Sequence, residues 1–420
     1  MRKLKVLILE SWDYNLAGHG LYDYNHLPDE LFEKRIVVRS SPKVGLSSAV
    51  YKSHTYDSLV RIRIQKFILQ IKNLIKYKHQ VKAEPTKPIH CFFTFPEIHV
   101  SARDILKKMG RNFTPDIIMT YWVGSFVGFK ELYELHTMTK APIVFNMLDH
   151  VYFTGGCHFP ASCDHFKYGC KSCPACTVPQ YAEEKLAEKL ELIKKIPHTI
   201  VGTPWDCMLA KQSLVFKDSV FFHNITSPTV EDGSKNEGRK RFIISSSSFV
   251  IFIGAARPGQ PRKGFEDSVR AIKEFAKDKN NVTILLLGRN VDTSYFDDFG
   301  VQVITPGYLD LKGMCDAYYA SDVFLNTTLA DSGPMMVNYA MKMGLPVVSY
   351  NVGTAYSFVE NGKTGYKTEI GNIEGVVIGL QHIYDMNEQE KMEMSNNCKL
   401  AIKKQTEQTW WKLLYDYYSK

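Results

Sequence analysis

Three stretches of this 420-residue chain gather the residue types that handle phosphate, protons or metal. In 254–265, Arg257, Arg262 and Lys263 share a loop with Gly254, Pro258, Gly259, Pro261 and Gly264, directly after an apolar run. A guanidinium grips a diphosphate through paired hydrogen bonds and an ammonium adds a point charge, so three such cations could neutralise one. A solvated basic loop fits the same residues, and the Gly-x4-Gly-Lys-Ser/Thr spacing of a Walker loop is absent. In 331–340, Ser332 suits an N-cap and Pro334 a first helical turn, which predicts a helix opening after a buried strand. The backbone N–H groups of such a turn form a phosphate seat at the carboxyl edge of a parallel sheet. An ordinary strand-to-helix turn with a methionine stripe is the other reading.

The third stretch is Cys157-x5-Cys163-x6-Cys170-x2-Cys173-x2-Cys176, with His158 and His165 interleaved. Thiolates at this density suit tetrahedral zinc, with Cys157, Cys163, Cys170 and Cys173 as the expected ligands of a structural ion, since four thiolates leave no open position. Reduced cysteines packing a loop, or a disulfide formed on isolation, remain open alternatives. The Cys170, Cys173, Cys176 triple lacks the fourth close cysteine of an iron–sulfur run.

These stretches need a scaffold. Short apolar runs at 4–9, 36–38, 117–121, 143–147, 199–202, 250–253, 282–287, 301–304, 323–326 and 347–350 alternate with helical patterns, the clearest being 265–275, 312–319 and 335–343. Continuous rather than alternating apolar runs mark parallel strands buried on both faces, so the fold class is α/β. The polar, breaker-rich stretch 227–241 is the expected boundary between two α/β domains. An amphipathic helix with Trp410, Trp411, Leu413, Leu414, Tyr415 and Tyr418 closes the chain and must dock somewhere.

Composition narrows the function. With 45% hydrophobic and 23% charged residues the chain is globular, and no apolar run reaches the roughly 18–20 residues of a membrane span. Nine cysteines, five of them within 157–176, do not form a secreted disulfide framework, so a cytoplasmic location is expected. A net charge of +8 favours anionic partners. Nucleic acid ranks last, because 157–176 carries two lysines and no arginine. Between 59 and 82, Arg61, Arg63, Lys66, Lys72, Lys76, Lys78 and Lys82 alternate with Ile64, Phe67, Ile68, Ile71, Leu74 and Ile75. Such a helix either lies on the anionic inner face of a cell membrane, as a peripheral protein, or turns its apolar side to a core.

The order Arg257…Pro261, Arg262, Lys263, Gly264, then Asp331…Pro334…Ala340…Gly344-x-Pro346, then Gly353 and Asn361, Gly362…Thr364, Gly365, Tyr366 resembles the donor domain of the group 1 retaining glycosyltransferases of GT-B fold. Upstream, Pro115, Asp116…Trp122…Gly128 and Asp149…Thr154, Gly155, Gly156, Cys157, His158…Cys170-x2-Cys173-Pro174 resemble a cysteine-containing branch that builds bacterial surface polysaccharides, lipopolysaccharide or capsule. The resemblance implies two Rossmann-like domains whose parallel sheets face a central cleft. Residues 1–226 would form an acceptor domain with the cysteine-rich insertion at 157–176, and 241–404 a donor domain. Helix 405–420 would pack back toward the N-terminal domain.

It further implies transfer of a hexose-like sugar from a UDP- or GDP-sugar to a glycan or polyprenyl-linked acceptor, with no catalytic metal. Arg257 and Lys263 would clamp the donor diphosphate, as expected where charge develops on those oxygens. Gly333, Met335, Met336, Val337, Asn338 and Tyr339 would complete the seat, with Asp331 in the position of the family's first acid, and Gly307 and Tyr308 near the base. Gly18 and Gly20 would face both substrates beside Asp13 and His19, and Asp149 and His150 would stand on the acceptor side. The chain departs from the pattern twice. Tyr339 replaces the second glutamate of Glu-x7-Glu, and Leu148 stands where the branch places histidine before Asp149, with His150 following instead. A degenerate protein that binds donor or a partner without turnover is the alternative.

Overall fold

A computed structural model describes residues 2–12, 27–40, 50–52, 63–65, 67–69, 71–72, 75–77, 99–110, 112–176, 178–255, 257–289, 291–297, 300–406 and 409–420. The chain divides into two compact units: Met1–Gly202 with Asp206–Asn224 and Thr409–Lys420, and Thr203–Trp205 with Ile225–Gln408.

The first unit is built on seven parallel strands, β1 (Leu4–Trp12), β2 (Phe32–Ser40), β3 (Val50–Lys52), β4 (Ile117–Thr120), β5 (Ile143–Asn146), β6 (His198–Gly202) and β7 (Val220–His223), in the order 3-2-1-4-5-6-7. In β1 the register sets Val6 against both Lys34 and Ile117. Successive residues point to opposite faces: Leu7, Leu9, Ile118 and Phe145 join one core, Val6, Ile8, Ile117 and Val144 the other. Both sets are apolar because both faces are covered, which is why the strands read as unbroken apolar runs. Helices Ala102–Met109, Phe129–Thr139 and Pro179–Ile193 cover one face. The other takes Trp410, Leu414 and Tyr415 of the terminal helix Trp410–Tyr418, so the chain's last residues belong to its first unit. Tyr415 donates its hydroxyl hydrogen to the Arg2 carbonyl at 2.8 Å and Tyr418 to Thr199 Oγ1 at 3.0 Å.

The second unit has six parallel strands, β8 (Phe249–Gly254), β9 (Val282–Leu287), β10 (Gln302–Ile304), β11 (Val323–Asn326), β12 (Val347–Tyr350) and β13 (Gly365–Thr368), in the order 10-9-8-11-12-13. The order reverses between β8 and β11, and ligands of open α/β sheets bind in the crevice outside the carboxyl ends at such a switch point.

Three strands escape the sequence pattern: β3, β7 and β13. All are sheet edges, and β7 and β13 are largely half-buried or exposed, so they lack the apolar signature of the interior strands. The expected start of the second domain at 241 is also too late. Within 227–241 lies a helix, Lys235–Arg241, capped by Ser234 and anchored by Arg239. That buried guanidinium donates to the carbonyls of Ala320, Ser245, Ser246 and Ser248 and pairs with Asp322 at 2.9 Å. Polar residues fastened by their own hydrogen bonds read as a linker but pack as part of a domain. Among the described residues no helix is long and apolar enough to cross a membrane.

Candidate functional site

In the second unit the loops leaving β8 and β11 are stitched together. Leu329 N–H donates to the Arg262 carbonyl at 2.8 Å and Thr327 Oγ1 to the Gly264 carbonyl at 2.7 Å. Gly264 caps helix Phe265–Ala276 at φ +63°, and a Cβ there would lie 1.9 Å from the Thr327 oxygen. Gly254 lets the helix Met335–Met343 approach: its Cβ would meet Met336 Cε at 2.3 Å. The two basic and helix-opening stretches separated by some 70 residues of sequence are thus one locus.

Its electrostatic centre is Asp331. Oδ2 accepts from Lys263 Nζ at 2.5 Å and from Arg262 Nη1 at 2.7 Å, and Arg262 also reaches the Ala330 carbonyl. Burial would raise the Asp331 pKa, but the two cations outweigh it and hold the carboxyl far below the usual carboxylate range. Beside Lys263, Asn326 at the end of β11 accepts from Thr328 Oγ1 through Oδ1, while its Nδ2 has no hydrogen-bond partner among the described residues and lines a cavity of 20 Å³, about one water molecule.

The residues of the expected phosphate seat divide between half-buried and buried positions. Gly333, Met335 and Met336 are half-buried, and Met335 and Met336 open the helix, where N–H groups lack intrahelical partners. Pro334, not Ser332, is the N-cap, because the Ser332 carbonyl accepts from Thr203 Oγ1 at 3.2 Å and the chain stays extended through Pro334. Val337 and Asn338 face inward: Val337 N–H donates to the Pro334 carbonyl, and Asn338 Nδ2 to the Thr226 carbonyl at 2.9 Å. Tyr339 stacks on Tyr318, ring centroids 5.8 Å apart and 14° from parallel, which gives an aromatic wall where a carboxylate was expected. Arg257 is exposed on its loop, while Arg262 pairs with the Asp331 carboxylate. Gly307 has φ +76°, and exposed Tyr308 carries the Arg289 guanidinium over its ring at 5.1 Å. Asn326 and Arg289 were not among the expected site residues. Arg262 was visible as one of three loop cations, whereas Asn326 and Arg289 carried no signal in spacing.

In the first unit Asp149 and His150 follow β5, but they do not pair with each other. Asp149 Oδ2 lies 2.5 Å from His158 Nδ1, and Oδ1 accepts from Val151 N–H at 3.0 Å. Burial opposes ionisation of Asp149, yet His158 and that N–H keep its pKa lowered. His150 Nε2 meets Asp206 Oδ1 at 2.8 Å instead. All four side chains are buried, and the loop is folded by His150 N–H donating to the His158 carbonyl. A histidine with one nitrogen fixed by a carboxylate has its ring orientation set, as a proton-handling group requires. His158 stood in the cysteine motif as a bystander, and Asp206 lies 56 residues from its partner, beyond any local pattern. Near this loop a 320 Å³ cavity is lined by Tyr152, Gly155, Gly156 and Lys189 and by the His99–Glu131 pair, 2.8 Å apart. Asp13, Gly18, His19 and Gly20 lie outside the described residues.

Among the described residues no group of three or more His, Cys, Asp or Glu is arranged to hold a metal ion, so zinc on Cys157, Cys163, Cys170 and Cys173 is not shown, although Cys163, Cys170 and Cys173 all act electrostatically on Cys157. Cys157 donates to Cys173, which pushes the Cys157 thiol up, with burial adding to it, and pulls Cys173 down. Cys170 Sγ accepts from Gly155 N–H at 3.3 Å, and Cys176 donates to the Val178 carbonyl. Buried with Phe153 and Phe166, these thiols act as packing groups of the loop.

Comparison with known proteins bears on the family and the fold. The family model for glycosyl transferases group 1 matches residues 247–385, which include every strand of the second sheet. A 171-residue stretch is 26% identical to a sulfoquinovosyl transferase of Arabidopsis thaliana, covering 39% of this chain and 31% of that protein's length. Among solved structures, Anabaena HepE in complex with UDP-glucose superposes with a TM-score of 0.60 at 14% identity, over 98% of this chain and 100% of that one. Sucrose-phosphate synthase from Thermosynechococcus elongatus gives 0.63 at 12% identity, over 99% and 98%. Residues 247–385 of the second unit are thus similar in sequence to group 1 glycosyltransferases, and the chain as a whole has the GT-B fold of two Rossmann-like domains.

Proposed function

We propose that this protein is a retaining glycosyltransferase that moves a hexose-like sugar from a UDP- or GDP-sugar to a glycan or lipid-linked oligosaccharide during surface-polysaccharide synthesis. The observation that carries the reading is the junction of the β8 and β11 loops, where Arg262 and Lys263 meet Asp331 beside the first turn of the helix Met335–Met343. A diphosphate set there meets fixed cations and helix N–H groups without reorganisation, which favours the charge that grows on its oxygens as the sugar departs. The match of 247–385 to group 1 enzymes and the UDP-glucose complex of HepE support a nucleotide-sugar donor.

In this reading the bond from the anomeric carbon to the phosphate oxygen breaks, its electron pair stays on the nucleoside diphosphate, and the acceptor hydroxyl oxygen bonds the same face of the carbon. The hydroxyl proton passes to the departing phosphate oxygen. Lys263 and Arg257 bind the diphosphate, Asp331 holds Lys263 in place, and the Asp149–His158 pair serves the acceptor side. Tyr308 with Arg289 offers a flat cationic surface for the base. Binding without turnover is the second reading, favoured by the Tyr339 ring stacked where the ribose-binding acid would stand.

The test is a panel of UDP- and GDP-sugars scored first for thermal stabilisation of the full chain, then for nucleoside-diphosphate release with glycan acceptors. One donor class should raise the melting temperature and turn over. Stabilisation with no release under any acceptor establishes the second reading, and no stabilisation by any nucleotide sugar refutes both.

A further inference from the structure

The basic amphipathic segment between the first strands is inside out relative to an ordinary surface helix. All described residues of 63–76 are helical. The spacing of Ile64, Phe67, Ile68, Ile71 and Ile75 corresponds, at helical periodicity, to an arc of about 100°. In a core-facing helix this stripe is the buried side. Here the five side chains are 57%, 64%, 46%, 42% and 73% exposed. The segment is held from elsewhere: Leu69 is half-buried, and buried Tyr77 donates to Glu184 Oε2 at 2.6 Å while meeting the Tyr181 ring edge-on. Lys76 pairs with the same carboxylate at 2.6 Å.

A row of five large exposed apolar side chains marks an interaction surface, and the flanking charge selects the partner. Arg63 and Lys72 are exposed on either side of the stripe, and residues 58–83 contain seven Lys or Arg and no Asp or Glu. Two copies of so uniformly basic a segment would repel one another. An anionic lipid surface complements it, accepting apolar side chains at the acyl boundary and cations at the headgroups. We propose that the helical residues described within 63–76 seat the protein on an anionic bilayer, with Ile64, Phe67, Ile68, Ile71 and Ile75 inserted and Arg63 and Lys72 at the headgroup level. The placement rests on exposure and charge, independently of the reaction proposed above.

The full chain is mixed with phosphatidylcholine vesicles, with or without phosphatidylglycerol, and separated by flotation. Binding is expected to the anionic vesicles and not to the neutral ones. The double variant Phe67→Ser, Ile71→Ser should bind at least about tenfold more weakly. Lys72→Glu, or raising salt to about 0.5 M, should also weaken binding, since screening shortens the reach of the headgroup charge. Because these side chains are solvent-exposed, the melting temperature and any nucleotide-induced stabilisation should match the parent, which separates failure here from failure of the proposed reaction. The proposal is overturned if the parent does not float with anionic vesicles, or if the double variant floats equally well. It is equally overturned if light scattering shows a parent dimer that the double variant dissolves, which would give the stripe to a second copy.

Discussion

In the proposed reaction Lys263 would have two separable duties, one toward the fold and one toward the donor, and substituting each end of its ion pair tells them apart. In the structure its ammonium and the Arg262 guanidinium converge on one oxygen of Asp331, with side-chain exposures of 17%, 18% and 12%. Lys263→Ala leaves the carboxylate paired with Arg262 at 2.7 Å, so the fold loses only about 1 kcal/mol. Asp331→Asn strands two half-desolvated cations against each other and should cost about 3 kcal/mol, or about 6–12 °C in the melting temperature of a unit this size. The pH dependence has a fixed sign. Asp331 has a lowered pKa when folded, so its contribution is present above the ordinary value of 3.8 and is lost as pH falls below it toward the folded value. The Asn variant should lack that acid-sensitive increment. For the donor the ranking reverses: Lys263→Ala removes a charge-assisted contact to the diphosphate and should lower turnover by about 10²–10³-fold. Scanning calorimetry between pH 3 and 7 and calorimetric titration with UDP read the two duties. If Lys263→Ala binds UDP and turns over within about twofold of the parent, the diphosphate cradle is wrong. If Asp331→Asn melts with the parent at neutral pH, the ion triad contributes nothing.

Three further outcomes are expected. Gly264→Ala forces a Cβ to 1.9 Å from the Thr327 oxygen at a left-handed φ, so it should melt several degrees lower, read by differential scanning fluorimetry. His158→Phe keeps a ring beside Trp122, 6.2 Å away, but strips Asp149 of its partner; sugar transfer should fall at least about 10²-fold while UDP titrates normally. Equal transfer rates would remove the dyad from the acceptor side. Leu414→Ala opens a cavity in the core that Trp410 and Tyr415 share with β1 and β2, and should cost about 2–5 kcal/mol in urea unfolding, against almost nothing for exposed Leu413→Ala.

What the amino-acid order determines by itself is the layering. Apolar runs buried on both faces, separated by helical periods, admit a doubly covered parallel sheet and little else, so ten of the strands and the helix at 335–343 are legible in one dimension. The helix opening after β11 was legible too, to within two residues of its cap, because Ser and Pro mark a helix start. The edge strands β3, β7 and β13 were not, the last two because their largely half-buried or exposed residues carry no apolar period, nor was the helix at Lys235–Arg241, whose anchor is a buried arginine in a stretch that reads as polar linker. The tertiary structure decided partners. It gave Asp331 to Arg262 and Lys263, His158 rather than His150 to Asp149, and Asp206, 56 residues on, to His150. It turned Val337 and Asn338 inward, buried Cys157, Cys170, Cys173 and Cys176 in the first unit's core, and left Ile64, Phe67, Ile68, Ile71 and Ile75 exposed. Periodicity reports which face of an element is apolar, because that follows from local geometry. Which charge meets which, and whether an apolar face finds a core, depends on side chains brought together across the fold, and no spacing along the chain encodes those distances.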